Sequence, residues 1–423
     1  MRDLCSLIWC AVVGLVRSRV ALQTEILVLR HQLNVLRRKS PKRMALGNID
    51  RVVLIGLYRL APKVLEATAH AISFAIGNRA AWTKGQNHMH SIIDVHHHWM
   101  PPHHARDLQR VAQPGQTVRE MRPGTMGLFR DDSMLFWCND QISSVDRLIA
   151  NLDRAHIARA VLSVSNWIEW LNLAMCSEVN DAMYEVKRRF PDRILTLAHV
   201  PIGEPGALDE LERAVSLGVS GIFSIVHLPR LGWSLDHPAL DAFYMRVNAL
   251  GLPIVLHPAC EPLEYVATTP HERLPLADHD LLTCYGRPYN TTVAVLRILL
   301  SDLLDRFPRL RFVCPHFGGS FGLMKERIFS RYYDLGMRDK LERRLQRLAF
   351  DTAPPRWSKA QIRCAVETLG VDRIMFGSDH PIEADYVDRA VQIIESDYFT
   401  DAERAHVCHR NAEAFFGLPV SEH

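Results

Sequence analysis

From residue 91 onward, short apolar runs alternate with stretches whose apolar residues recur at helical spacing. The runs that read as strands are 91–95, 158–164, 193–199, 219–225, 253–257, 310–315, 348–352 and 373–378. Helical stretches lie between them: Ser144 to Ala155, Asn172 to Phe190, Ala207 to Leu217, Ala239 to Leu250, Thr292 to Phe307 and Ser358 to Leu369. A Gly or Pro follows all but the first of these, the expected helix stop. Eight strands, each followed by helix, over about 330 residues predict an α/β fold, a (β/α)8 barrel with loop insertions. An open doubly wound sheet is the alternative, but no Gly-x-Gly-x-x-Gly follows the first strand.

In such a barrel the chemistry sits where strands end at their C-terminal side. The first strand runs into Asp94-Val95-His96-His97-His98. Side chains alternate along a strand, so His96 and His98 share a face and His97 points the other way. Two imidazoles so placed suit one metal ion. The fifth strand ends in His257-Pro258, the sixth in His316 before Phe317-Gly318-Gly319, and the eighth in Asp379. Four strand ends thus deliver metal-competent side chains to one rim, in phase with an independently drawn strand pattern.

The wording IIDVHHHWMPP, LGLPIVLHPA, LLDRFPRLRFVCPHFGG, FGSDHP and RNAEAFFGL resembles the amidohydrolase superfamily over residues 91–418. The branch it is most similar to includes aminocarboxymuconate-semialdehyde decarboxylase and related aromatic-acid decarboxylases. Two positions differ from the family's habit. Phe317 stands in a His-Gly-Gly-Gly motif and His380 in an Asp-Tyr-Pro motif; neither change removes a ligand. The resemblance implies that His96, His98, His257 and Asp379 hold one divalent ion, with water in the open position. It implies that His316 stands beside the ion as base or acid. Three imidazoles and one carboxylate suit Zn2+, with Mn2+ the alternative. The implied reaction is nonoxidative decarboxylation of an aromatic or unsaturated carboxylic acid. Hydrolysis of a lactone, amide or ester at the same site, with Asp379 or His316 as base, is the competing reading.

Other residues take readings of their own. Asp94 is either a partner for a ligand histidine or a strand-end contact to backbone. His97 and His199 read as packing. His103 and His104, after Pro101-Pro102, read as loop surface. Asp351 ends the seventh strand at the pocket edge, and His380 is within reach of substrate. Insertions at 99–142, broken by Gly and Pro, and at 259–290 read as lids over the catalytic face. Trp99 and Arg287 are the substrate-binding candidates they carry, with an Arg suited to grip a carboxylate. Phe136 or Trp137 either stacks on a planar substrate or packs the lid.

Composition changes the picture mainly at the N-terminus. Residues 1–70 hold 12 Lys/Arg against 4 Asp/Glu, and the rest 38 against 43, so a basic head precedes a mildly acidic body. Leu22, Ile26, Leu29, Leu33 and Leu36 form a heptad seam, closed by Arg37-Arg38-Lys39 and Pro41. Residues 1–70 therefore read as a small all-helical extension, 71–89 as a junction, and 90–423 as the barrel domain. The text over about 15–67 resembles the N-terminal segment of integrase-type transposases, but no acidic triad follows. DNA binding through residues 20–63 is the remote reading, since the head lacks the helices that read bases. The apolar run 4–16 is too short to span a bilayer unaided. The nine cysteines show no Cys-x-x-Cys spacing, which fits reduced thiols in the cytoplasm. A small carboxylic acid is the expected partner and a homodimer the expected assembly, with neither nucleic acid nor stable membrane insertion.

Overall fold

The computed structural model describes residues 91–420 except 111, 113, 114, 131, 132 and 261–280. The readings for the head and junction, and for most of the second insertion, lie outside the described residues. Eight parallel strands form one sheet: β1 (Ile92–His98), β2 (Ile157–Ser163), β3 (Ile194–His199), β4 (Gly221–Ile225), β5 (Ile254–His257), β6 (Phe312–Cys314), β7 (Leu348–Asp351) and β8 (Ile374–Met375). They pair strictly in chain order. Their inner and outer faces are both covered, which is why the strands read as continuous apolar runs; all seven residues of β1 are buried.

The barrel closes between β1 and the chain beyond β8. Regular pairing of β8 stops at Met375, short of the predicted 378. The extended chain still follows β1, with Val95 N donating to Phe376 O (2.9 Å), Asp379 N to His96 O (2.9 Å) and His98 N to His380 O (2.7 Å). Gly377 allows this approach. A Cβ there would stand 2.9 Å from the Cβ of His96 and 3.1 Å from that of Asp351.

The outer helices are α1 (Val145–Arg154), α2 (Leu173–Arg189), α3 (Ala207–Ser216), α4 (Asp241–Leu250), α5 (Arg287–Leu300), α6 (Phe321–Tyr333), α7 (Lys359–Leu369) and α8 (Tyr386–Glu395). Ser144 and Asn172 cap α1 and α2, and Ser358 with Gln361 forms a capping box on α7, satisfying amides that open a helix. Gly251 ends α4 at φ 68°. The predicted 292–307 helix is corrected at both ends. Its α-helical part begins at Arg287, continuing a π-helical turn at Leu282–Gly286, and it breaks at Ser301 before a short turn, Leu303–Arg306. Arg287 therefore stands on a helix and not in a loop.

The first insertion is also corrected. It carries a three-stranded antiparallel sheet, Gln116–Arg122, Thr125–Arg130 and Ser133–Cys138. Its first turn uses Gly124 at φ 74°, a conformation open to glycine. Phe136 packs on Trp167 and Trp170, with ring centroids 5.1 and 6.1 Å away, so the packing alternative holds for it. Among the described residues no helix is long and apolar enough to cross a membrane, and no disulfide joins the described cysteines.

Candidate metal centre

Three imidazoles and a carboxylate meet at the mouth of the barrel. His96, His98, His257 and Asp379 each offer a ligand atom, and these atoms all lie within 4.8 Å of one another. Each histidine is oriented by its other nitrogen. His96 Nδ1 donates to Asp351 Oδ2 (2.8 Å), His257 Nδ1 to the carbonyl of Pro258 (2.8 Å), and His98 Nδ1 sits 3.0 Å from Ser163 Oγ. With Nδ1 engaged in this way, Nε2 of each ring is the atom left for a ligand. His98 Nε2 lies 3.0 Å and His96 Nε2 3.6 Å from Asp379 Oδ1. The ring of His316 stacks on that of His96 at 5.4 Å, and its Nε2 is 3.8 Å from Asp379 Oδ2.

The backbone at these strand ends is bent to aim the side chains. Ser165, His316, Phe317 and Asp379 have φ of 59°, 56°, 52° and 58°. A non-glycine residue adopts this left-handed region at a cost, and such residues cluster at functional sites. The bends turn the chain sharply off β6 and β8, so that His316 and Asp379 face the mouth.

Electrostatics distinguishes the four rings. Burial and the neighbouring imidazoles hold His98 and His257 well below the usual histidine range, so both are neutral with lone pairs available. Burial also lowers His316, against the pull of Asp379. His96 differs: burial opposes its charge, yet Asp351 and Asp379 outweigh it and push it up to about 9. Burial raises Asp379 above the ordinary carboxylate range while His96, His316 and Arg287 draw it down. Without a cation, the two buried carboxylates keep a proton on His96. A divalent ion fits this donor set: its charge matches that need, and Nε2 of His96 and of His316 are buried without a hydrogen-bond partner.

Asp351, given only a pocket-edge position from the sequence, is central. Besides holding His96, its Oδ1 accepts from the backbone N–H of His316 (2.9 Å) and of Ala353 (3.1 Å). One carboxylate thus fixes both a ligand ring and the start of the His316 turn. Asp94 resolves to the backbone alternative. It accepts from the amides of His96 and Ser378, from Ser378 Oγ, and from His97 Nδ1 (2.9 Å), tying β1 to the chain after β8. His97 is buried packing, as is His199, whose Nε2 accepts from Val164 N (3.3 Å).

The substrate-binding candidates fare differently. Arg287 is brought to the rim: its charge acts on Asp379 and His316, and its Nη2 donates to Leu135 O of the inserted sheet (3.4 Å). Trp99 is buried, with Nε1 lacking a hydrogen-bond partner. His380 is turned to α1, where its Nε2 meets Asn151 Nδ2 at 2.9 Å, and it does not join the cluster. His103 is exposed, but His104 is buried, against expectation. Its Nε2 lies 3.0 Å from Glu178 Oε2 and its Nδ1 accepts from Trp167 Nε1 (3.2 Å). The turn Ser165–Trp170, which carries that tryptophan, was not singled out in the sequence; its dense Asn-Trp-Ile-Glu-Trp text after a strand end was the available signal.

An eight-stranded barrel that gathers three imidazoles and a carboxylate at its mouth has the build of a metal-dependent enzyme. The chain belongs to the amidohydrolase family, whose profile matches residues 93–418. Among relatives, it is 27% identical to decarboxylase orsB of Emericella nidulans, over 71% of this chain and 90% of that protein. It is 28% identical to a gamma-resorcylate decarboxylase of Rhizobium sp., over 58% of this chain and 77% of the relative. A dihydroxybenzoic acid decarboxylase of Polaromonas sp. JS666, solved with manganese and 2-nitroresorcinol, shares the fold. Its TM-score is 0.60 at 20% identity, covering 78% of this chain and 97% of that one.

Proposed function

We propose that this protein is a metal-dependent carboxy-lyase that removes CO2 from an aromatic or unsaturated carboxylic acid. The observation that carries the reading is the arrangement at the mouth. Three imidazoles and Asp379 come together, His316 stands beside them, and the charge of Arg287 acts on the same carboxylate. The relatives at comparable length are named decarboxylases, which favours loss of CO2 over hydrolysis.

His96, His98, His257 and Asp379 would hold one divalent ion, Zn2+ by the donor set, with Mn2+ the alternative. When bound, the ion supplies positive charge that draws an anionic acid to the mouth and stabilises negative charge developing in it. Arg287 adds a further cation and binds the substrate's anionic group. The carbon–carbon bond to the carboxylate breaks, CO2 leaves, and the electron pair stays on the former α or ring carbon. That carbon takes a proton from His316 Nε2, which takes up another from solvent before the next turnover. Burial lowers the proton affinity of His316, which favours giving its proton to the carbanion. The inserted sheet reaches the chain after β5 through Cys260 Sγ, which donates to Leu135 O (2.8 Å).

Headspace CO2 over the metal-loaded full chain, supplied with a panel of aryl acids that includes 2,6-dihydroxybenzoate and a panel of lactones, tests this. CO2 from an aryl acid with no lactone turnover is expected. Lactone hydrolysis without CO2 would overturn the lyase reading in favour of a hydrolase.

A further inference from the structure

The end of β2 supplies none of the residues clustered for the ion, yet it sets a side chain against one of them. Ser165, just past that strand, is buried, and its Oγ lies 3.4 Å from Nε2 of His257. A φ of 59° holds Ser165 in the left-handed region, which a serine adopts at a cost.

The groups that can only accept fix where the hydrogens are. His257 Nδ1 donates to the carbonyl of Pro258 (2.8 Å), so its Nε2 carries a lone pair and no hydrogen. The carbonyl of Leu135 takes the hydrogen of Cys260 Sγ (2.8 Å), which leaves sulfur lone pairs to accept from Asn166 Nδ2. The Asn166 amide therefore turns its Oδ1 to Ser165, whose hydroxyl donates to it at 3.1 Å. With that hydrogen engaged, Ser165 Oγ and His257 Nε2 face each other as two acceptors with no hydrogen between them.

Two such lone pairs suit a shared cation, and so does their spacing. Donor atoms each about 2.1 Å from one ion, at the tetrahedral angle, stand about 3.4 Å apart. The pairs already assigned to the centre bracket that separation. Asp379 Oδ1 lies 3.0 Å from His98 Nε2 and 3.6 Å from His96 Nε2.

We propose that Ser165 is a further ligand of the ion, a neutral hydroxyl oxygen beside the three imidazoles and Asp379. This rests on the metal centre of the carboxy-lyase reading and adds to it a bias in the choice of ion. A serine hydroxyl can serve so, as it does on Mg2+ in phosphate-binding loops. Zn2+ is satisfied by four donors, whereas Mn2+ takes six and favours oxygen. The added oxygen therefore strengthens Mn2+ binding more than Zn2+ binding.

The test measures the Zn2+ and Mn2+ affinities of the full chain by chelator competition, for the parent and for Ser165→Ala and Ser165→Gly. Both variants lose the hydroxyl, and glycine also removes the cost of the positive φ, so a change common to the two is not a failure to fold. Kd for Mn2+ should rise about tenfold in both, and Kd for Zn2+ less than about threefold. Ser165→Cys reads the contact directly. Loaded with Co2+, that variant should show a sulfur-to-cobalt charge-transfer band in the near ultraviolet that the parent lacks. An unchanged ratio of the two Kd values in both hydroxyl-free variants overturns the proposal, as does a Ser165→Cys chain that holds Co2+ without the band. Either result, with one ion still bound per parent chain, leaves the carboxy-lyase reading standing. A parent chain that binds neither Zn2+ nor Mn2+ overturns that reading and this proposal together.

Discussion

Two clusters near the mouth of this barrel are made of the same ingredients and do opposite things. One joins His96 and His98 to His257 and Asp379; the other joins His103 and His104 to Glu178. The difference lies in what holds the far nitrogen of each buried ring. At His96 and His257 the partner of Nδ1 is a carboxylate or a carbonyl, groups that only accept. Nδ1 then carries the hydrogen and Nε2 keeps its lone pair for a cation. At His104 the partner of Nδ1 is the Trp167 indole, which only donates. Nε2 then carries the hydrogen and gives it to Glu178, leaving no lone pair for a metal. Arg110 completes the second cluster with two bonds to the same carboxylate, at 3.2 and 3.0 Å. A list of His and Glu side chains within reach of one another does not identify a metal site; the tautomer each ring is forced into does.

The sharpest way to break this contrast is to remove one member of each cluster and weigh the metal. His257→Ala or Asp379→Ala should drop bound metal, measured by elemental analysis of purified protein, from about one ion per chain to nearly none. Activity on whichever acid releases CO2 should fall by about 10^3-fold or more. His104→Ala should leave metal content unchanged. Loss of metal in the His104 variant would mean that its tautomer has been misassigned and that the second cluster is a ligand set.

A subtler intervention keeps every ligand and changes only what orients one. Asp351→Asn preserves shape but weakens the acceptor for His96 Nδ1–H and for the His316 amide. Metal affinity should fall about 10- to 100-fold, the usual effect of removing such a partner. Competition with a chelator of known affinity measures it. An unchanged affinity would leave Asp351 as a fold residue only.

Asp351 also marks the boundary of what the sequence made legible. The eight strands and the four side chains that cluster at strand ends were readable because each is a local signal: an apolar run for the strand, and a His or Asp at its end for the cluster. The site's supporting contacts were not. Asp351 and His96 lie 255 positions apart in the chain, and nothing near Phe350-Asp351-Thr352 names the partner. His104 looked like surface because it follows Pro101-Pro102; only Trp167, brought over by the fold, buries it. The inserted sheet was hidden by a first strand, Gln116–Arg122, that lies largely exposed and so lacks the apolar alternation of a half-buried one.

The smallest expected effect tests the second cluster on its own terms, as an ion-paired network. The bonds from Arg110 hold the Glu178 carboxyl at about 2, with His104 and His103 adding to them against a modest cost of burial. A carboxyl depressed in the folded chain contributes stability above its ordinary value of 4.5. That contribution is lost as pH falls through the interval toward 2, because the unfolded chain takes up the proton first. Glu178→Gln removes the charge at every pH. The thermal midpoint of the parent should therefore exceed that of the variant at pH 7 by on the order of 1 °C, small because the pair is solvent-screened. The gap should narrow as pH is lowered below 4.5. Added Zn2+ should not widen it, since His104 has no lone pair to offer. A gap that grows with Zn2+ would make the two clusters alike after all, and a gap indifferent to pH would show that Glu178 acts through packing and not through charge.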